Sequence, residues 1–310
     1  MRRLLLPWAL AAIVFVALPY IVPDYYVGLV TKMLIFALFA MSLDLMIGYV
    51  GLASLGHAAF FGLGGYTVGL LGLKAHVSEW IALPAGVLVA TLGGVLFAFL
   101  ALRARGSYFL MITLALAQVV WGIAFGWRTL TGGDDGLPGI KRPTFFISLA
   151  DQTAFYYFVV LLVGLSAIAL TMIVRSPFGL ALLGIRESET RMRALGFNVW
   201  RHQFVAFVFA AAFAGLAGAL FVYQNKFVNP AFLHVVMSAE ALIMVILGGV
   251  GTLLGPAIGA GLIIFLEDFI SSQTQRWLLI LGIIYVVTTL FAPRGLIGLY
   301  RDFVARRSKP

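Results

Sequence analysis

The sequence predicts an all-α fold, a polytopic transmembrane helical bundle of about 8–10 spans with broken, Gly-rich helices. Three observations carry that prediction. The chain is 62% hydrophobic and only 11% charged, with a mean hydropathy of +1.05, too much apolar surface for water to solvate. Its apolar runs recur at close to the ~20 residues that cross a bilayer. Two of the apolar stretches, 42–72 and 238–270, are interrupted by glycines, which lets a span break and expose backbone groups.

In chain order, the runs give candidate spans at 4–22, 27–47, 54–73, 80–101, 107–127, 153–174 and 204–225. The stretch 238–270 divides at Gly248–Gly251 and Gly255-Pro256 into 238–252 and 255–270, and 277–292 closes the set. Residues 4–22 follow Arg2-Arg3 as a signal peptide would, but the run is long and lacks a small-x-small site, so it reads as a retained span. Dividing 238–270 gives ten crossings; a re-entrant segment gives eight.

Basic residues set the orientation. With a cytoplasmic N-terminus, fourteen lysines and arginines fall inside and five outside. Both termini are then cytoplasmic, and so is 175–203, the longest basic segment between two spans, with five arginines and two glutamates. Ser176-Pro177 is a helix start and Gly196 with Asn198 a stop, so one helix is expected there, with Glu187 near its middle. Leu182, Ile185, Met192 and Leu195 form a broken apolar stripe along it. A part-apolar, part-charged surface helix suits docking to a soluble partner, and a basic loop that only fixes topology would look similar.

Residues 128–152, the long outer loop, carry the turn cluster Thr131–Gly136 and balanced charge, and read as a solvated connection; Gly-Asp-Asp-Gly lacks the ligand spacing of a calcium loop. In the glycine-rich stretch 42–72, Ser54 and His57 are one helical turn apart and Tyr66 follows. These three, with Gly64, are the candidate pathway residues on position, polarity and the clustering of small residues. Gly48, Val50 and Gly51 recur two hundred residues on as Gly248, Val250 and Gly251, and Leu55-Gly56-x-Ala58 as Leu254-Gly255-x-Ala257. Both copies enter from outside, as a parallel repeat. Among charges inside spans, Asp44 is the deepest, with Lys32, Glu240 and Glu267-Asp268 nearer the interfaces.

Several chemistries are disfavoured. No phosphate-binding G-x-x-x-x-G-K-[ST] loop occurs, so no ATP site is expected here. No catalytic residues, no metal site and no nucleic-acid partner are expected, and the absence of cysteine rules out thiol chemistry and disulfides.

The segment LGHAAFFGLGGYT at 55–67, TGGDDGLPGI at 131–140, Gly184–Glu189 with Ala194–Asn198, and GGVGTLLGPAIGA at 248–260 together resemble LivM-type permeases, the membrane subunits of branched-chain amino acid ABC importers. The markers span most of the chain in family order. Arg191-Met192-Arg193 departs from the family, which carries small and acidic residues there. The resemblance implies a single permease domain over 1–310 in a bacterial plasma (inner) membrane, with 175–203 as its cytoplasmic coupling loop. It implies a second related permease, two cytoplasmic ATPase subunits that use ATP and magnesium, a periplasmic substrate-binding protein, and lipid around the spans. No cofactor would be bound by this chain. Arg186, Glu187, Glu189, Ala194, Gly196 and Asn198 are the implied coupling residues. Urea, amides and aromatic acids are alternative substrates in such a family. From another class, a stand-alone secondary transporter would use Asp44 as its ion-coupling group.

Overall fold

A computed structural model describes residues 17–144 and 148–274, with scattered positions beyond. Helix α1, Asp24–Asp44, runs on through a π-helical turn, Leu45–Val50. Then come α2 (His57–Leu73), α3 (Glu79–Ala101), α4 (Ser107–Gly126), the single turn α5 (Arg128–Thr131) and α6 (Gln152–Arg175). The basic segment holds α7 (Pro177–Glu187) and α8 (Glu189–Ala194), and α9 (Val199–Asn225), α10 (Val235–Gly248) and α11 (Leu254–Gln273) follow. The fold is the expected helical bundle. Among the described residues, six helices are long and apolar enough to cross a membrane, and α2 and α10 are shorter apolar helices. Every expected span from 27–47 to 255–270 coincides with a helix. The expected spans 4–22 and 277–292 lie largely outside the described residues.

Helix α2 occupies the centre, packed between α3 and α9. Its 17 residues rise only about 25 Å, short of a hydrocarbon core of ~30 Å, so its ends must be satisfied by protein. At its start, the Ala58 amide donates to Ser238 Oγ of α10 at 2.8 Å. Small residues bring the three backbones together. A Cβ on Gly64 would overlap the Gly215 carbonyl of α9, and one on Gly218 the Phe61 carbonyl of α2. In a membrane such close van der Waals approach drives association, since lipid is as apolar as leucine. Phenylalanines fill the remaining space, Phe36, Phe61, Phe221 and Phe232 meeting at centroid distances of 5.0–6.5 Å. Outward, α3 presents Leu88, Leu92 and Leu96, and α6 presents Leu161, Leu165, Ile168 and Met172, apolar rows suited to hydrocarbon.

The loop 128–152 is not simply solvated, as its composition suggested. Leu137–Pro138 (β1) pairs antiparallel with Phe227–Val228 (β2), and Leu137, Ile140 and Leu149 are buried. Arg142 is buried too. Its Nε donates to the Tyr223 carbonyl at 3.1 Å and its Nη2 to Gln152 Oε1 at 2.8 Å, with the guanidinium 4.2 Å over the Phe155 ring. Burial pulls its pKa below the usual arginine value, and Asp151 opposes that shift. An arginine counted as a topology marker is thus the bolt that fixes this loop onto α6 and α9.

The basic segment differs from expectation in two respects. Two helices form instead of one, because Ser188 is extended (φ −162°, ψ 101°) and its Oγ accepts from the Arg191 amide to start α8. Glu187 is therefore the last residue of α7 rather than its middle. The Ser176 start is as read, with Oγ accepting from the Gly179 amide. Gly196 turns the chain at φ +87°, as read, but Asn198 does not end a helix: it caps α9, its Oδ1 accepting from the Arg201 amide at 3.0 Å.

Candidate functional site

The two glycine-interrupted stretches meet in space, at the end of the bundle that carries the basic segment. At the first break the helix widens into the π turn and stops at Gly51, which is left-handed at φ +82°. At the second, Gly249, Gly251 and Leu253 all have positive φ, at +117°, +78° and +56°. Breaks of this kind strand backbone groups inside protein, and each stranded group needs a partner. Asp44, fully buried at the end of α1, supplies two acceptors. Its Oδ1 takes the Gly251 amide at 2.7 Å and its Oδ2 the Leu253 amide at 3.0 Å. Gly48 lies so close that a Cβ there would sit 2.6 Å from the Gly251 Cα.

Arg186, in the last turn of α7, reaches the same place. Its Nη1 donates to the Gly48 carbonyl, in the π turn. Its stem passes Gly51, where a Cβ would come within 2.9 Å of the Arg186 Cγ. Its Nη1 also borders Gly251, 3.2 Å from where a Cβ would be. The sequence repeat Gly48/Gly51 and Gly248/Gly251 is therefore a physical junction, with one arginine and one aspartate between its halves. That junction accounts for the deepest charge in the spans: both Asp44 oxygens hold backbone amides.

The remaining coupling candidates sort into inward and outward. Glu189 is held by its own chain, 3.2 Å from Arg193 Nη2 and accepting from Gln203 Nε2 at 3.0 Å. With Leu52, Arg103, Arg105 and Trp200 it lines a cavity of about 220 Å³. Glu187, Ala194, Gly196 and Asn198 are exposed. Around them, Leu195 is 67% exposed, and Phe197 and Trp200 are each 41% exposed. The unusual Arg191-Met192-Arg193 keeps Met192 inside, against Gly184, while Arg193 pairs with Glu189 and Arg191 is exposed.

The four pathway candidates all lie inside this subunit. Gly64 touches α9. Ser54 Oγ accepts from the Gly56 amide at 3.2 Å, just ahead of α2. His57 stacks on Phe39 at 5.3 Å, and its Nε2 is 2.8 Å from Ser42 Oγ. The Ser42 hydroxyl donates its proton to the Phe39 carbonyl at 2.7 Å, so Nε2 is assigned as the protonated nitrogen. Tyr66 is buried, and its hydroxyl has no hydrogen-bond partner among the described residues. Neither this cavity nor the one at the far end is lined by any of them. That far cavity, about 500 Å³, is lined by Asp24, Tyr25, Lys32, Gln152, Gln224 and Asp268 among others. Beside it Lys32 Nζ is 3.3 Å from Glu267, and the Tyr25 hydroxyl donates to Asp268 at 2.5 Å.

The family model described as branched-chain amino acid transport system / permease component matches residues 25–289, which takes in α1 to α11 and both breaks. The chain belongs to this permease family. Among curated relatives, the high-affinity branched-chain amino acid transport system permease protein LivM of Salmonella typhimurium is 30% identical, over 96% of this chain and 75% of its own. Its Escherichia coli counterpart is 31% identical, over 92% and 73%. The permease protein LivH of Salmonella typhimurium is 24% identical, over 85% of this chain and 91% of its own. No solved structure matches. This permease is therefore a transport subunit of a multi-pass membrane protein class whose members include both LivM and LivH types. Sequence reasoning missed the job of Asp44 and the inward reach of Arg186. The glycine echo was the signal that could have joined them, because it marked the two places whose backbone needed partners.

Proposed function

We propose that this permease is half of the pathway of an ATP-driven importer for branched-chain amino acids. It would pair with a second, related permease in a bacterial inner membrane, with both termini and residues 175–203 on the cytoplasmic side. A periplasmic binding protein would deliver the substrate, and two cytoplasmic ATPase subunits would bind ATP and magnesium. Membership of the family along nearly the whole described chain carries the reading. Relatives of LivM and LivH type support two different permeases working together.

The geometry supports the division of labour. The exposed tip at Glu187 and Ala194–Asn198 combines apolar Leu195 and Phe197 with an acidic group, the make-up of a docking surface with a charged rim. Ser54, His57, Gly64 and Tyr66 remain pathway candidates, and their burial means they would act only if α2 and its neighbours part during the cycle. The far cavity, with Lys32 beside Asp24 and Asp268, mixes both signs of charge as a zwitterionic amino acid would require. The test is reconstitution with the neighbouring permease, ATPases and binding protein in proteoliposomes, followed by uptake of labelled leucine, phenylalanine and urea. ATP-dependent leucine uptake that needs the binding protein is expected. Uptake driven by an ion gradient without ATPase subunits would overturn the reading.

A further inference from the structure

We propose that Arg186 is a positioning residue that carries movement of the basic segment into the membrane domain by gripping both glycine breaks at once. The inference rests on the importer reading and adds an internal transmission element to it. Three observations support it.

First, Arg186 belongs to the segment expected to meet the ATPases, yet its guanidinium points into the bundle, onto the Gly48 carbonyl. Both Arg186 and its neighbour Glu187 are solvent-exposed, yet the tip of Arg186 is tied back to the membrane domain. Second, the contact falls on a π turn, a helical form whose extra residue loosens the hydrogen-bond ladder and which recurs at functional positions. The arginine there satisfies a carbonyl at the end of a helix, where no amide of the next turn is available. Third, the side chain spans the sequence repeat. It bonds the Gly48 carbonyl of the first copy and borders the Cβ positions of Gly51 in the first and Gly251 in the second, at 2.9 and 3.2 Å, and the second copy is held by Asp44 from the first. A shift of α7 relative to the bundle must therefore pull the Gly48 carbonyl, or let it go, and through Asp44 reach the start of α11. The missing Cβ atoms at Gly51 and Gly251 leave room for Arg186: a side chain at Gly51 would press on its stem and one at Gly251 would crowd its Nη1.

The experiment uses the complete transporter in proteoliposomes and compares Arg186→Met, which keeps the stem and loses the donors, with Arg186→Lys, which keeps one charged donor. Co-purification of ATPase subunits, binding-protein-stimulated hydrolysis and leucine uptake are measured on the same preparations. Expected for Arg186→Met is wild-type co-purification with a fall of about tenfold or more in leucine taken up per ATP hydrolysed, the size of a lost charge-assisted hydrogen bond. Arg186→Lys should recover a large part of that ratio, which a loss of packing alone would not allow. Gly51→Ala, which crowds the Arg186 stem from the other side, should lower the same ratio without touching the exposed tip.

Lost co-purification in Arg186→Met overturns the proposal, because the arginine would then belong to the docking surface. An unchanged uptake ratio overturns it as well. So does failure of Arg186→Met to insert, since the contact would then hold the fold rather than carry motion. Failure of wild-type hydrolysis to respond to the binding protein would instead strike the importer reading, and is seen separately in the same assay.

Discussion

Two regions of this permease are rich in glycine, and they use it in opposite ways. In the interior around α2, glycines at 64 and 218 let helices touch backbone to backbone, and the helices stay regular. At the junction by the basic segment, glycines at 48, 51, 249 and 251 open the backbone, and two charged side chains, the buried Asp44 and the exposed Arg186, answer the stranded amides and carbonyl. The first region is held by dispersion between small residues, the second by charge-assisted hydrogen bonds. Mutations should separate them by mechanism: added volume harms the interior, and lost acceptors harm the junction.

The largest effect is expected at Asp44. Asp44→Ala strands the Gly251 and Leu253 amides in the bundle and should cost about 2–6 kcal/mol, at roughly 1–3 kcal/mol for each orphaned group. Asp44→Asn retains one acceptor and should cost less than half of that. Thermal unfolding of the detergent-solubilised subunit measures both, and an Asp44→Ala protein that melts like wild type would remove the junction as a charge-held region.

Next comes Gly64→Ala, whose methyl overlaps the Gly215 carbonyl; overpacking of this kind costs about 1–3 kcal/mol. Its melting temperature should fall while the Asp44 substitutions add to it independently, since the two regions share no partner. Strong non-additivity would show that interior and junction are one unit.

At the junction's outer edge the two glutamates should part company. Glu187→Ala should weaken ATPase co-purification by roughly tenfold, the scale of a rim charge pair at an interface. Glu189→Ala, whose carboxylate is occupied by Arg193 and Gln203, should leave ATPase affinity within about twofold and lower stability by about 1 kcal/mol at most. A reversed order would mean that Glu189 changes partners on docking.

The smallest effect is expected where a glycine does neither job. A Cβ on Gly122, exposed in α4, meets nothing within 4 Å, so Gly122→Ala should be neutral or stabilise by about 0.5–1 kcal/mol through helix propensity. A loss of uptake in a stable Gly122→Ala protein would mark that face of α4 as a protein contact rather than a lipid one.

Composition and run length by themselves determined the class and the helices of this protein. Twenty apolar residues between polar loops can only be a span, and the start and turn at Ser176 and Gly196 were legible because their chemistry is local. The resemblance carried by four short motifs gave the family. Tertiary structure decided the rest. Whether a glycine brings two helices together or opens one depends on what lies opposite it, and that partner is far away in sequence: Gly215 for Gly64, Gly251 for Gly48. The same holds for charge. Asp44 read as an ion-coupling candidate because the sequence cannot show that its two oxygens face amides about two hundred residues on. Arg142 and Arg186 were counted alike as markers of sidedness. Only the fold shows that Arg142 is buried and that the otherwise exposed Arg186 reaches back to the Gly48 carbonyl, because a stranded carbonyl requires a donor and in each case an arginine was within reach.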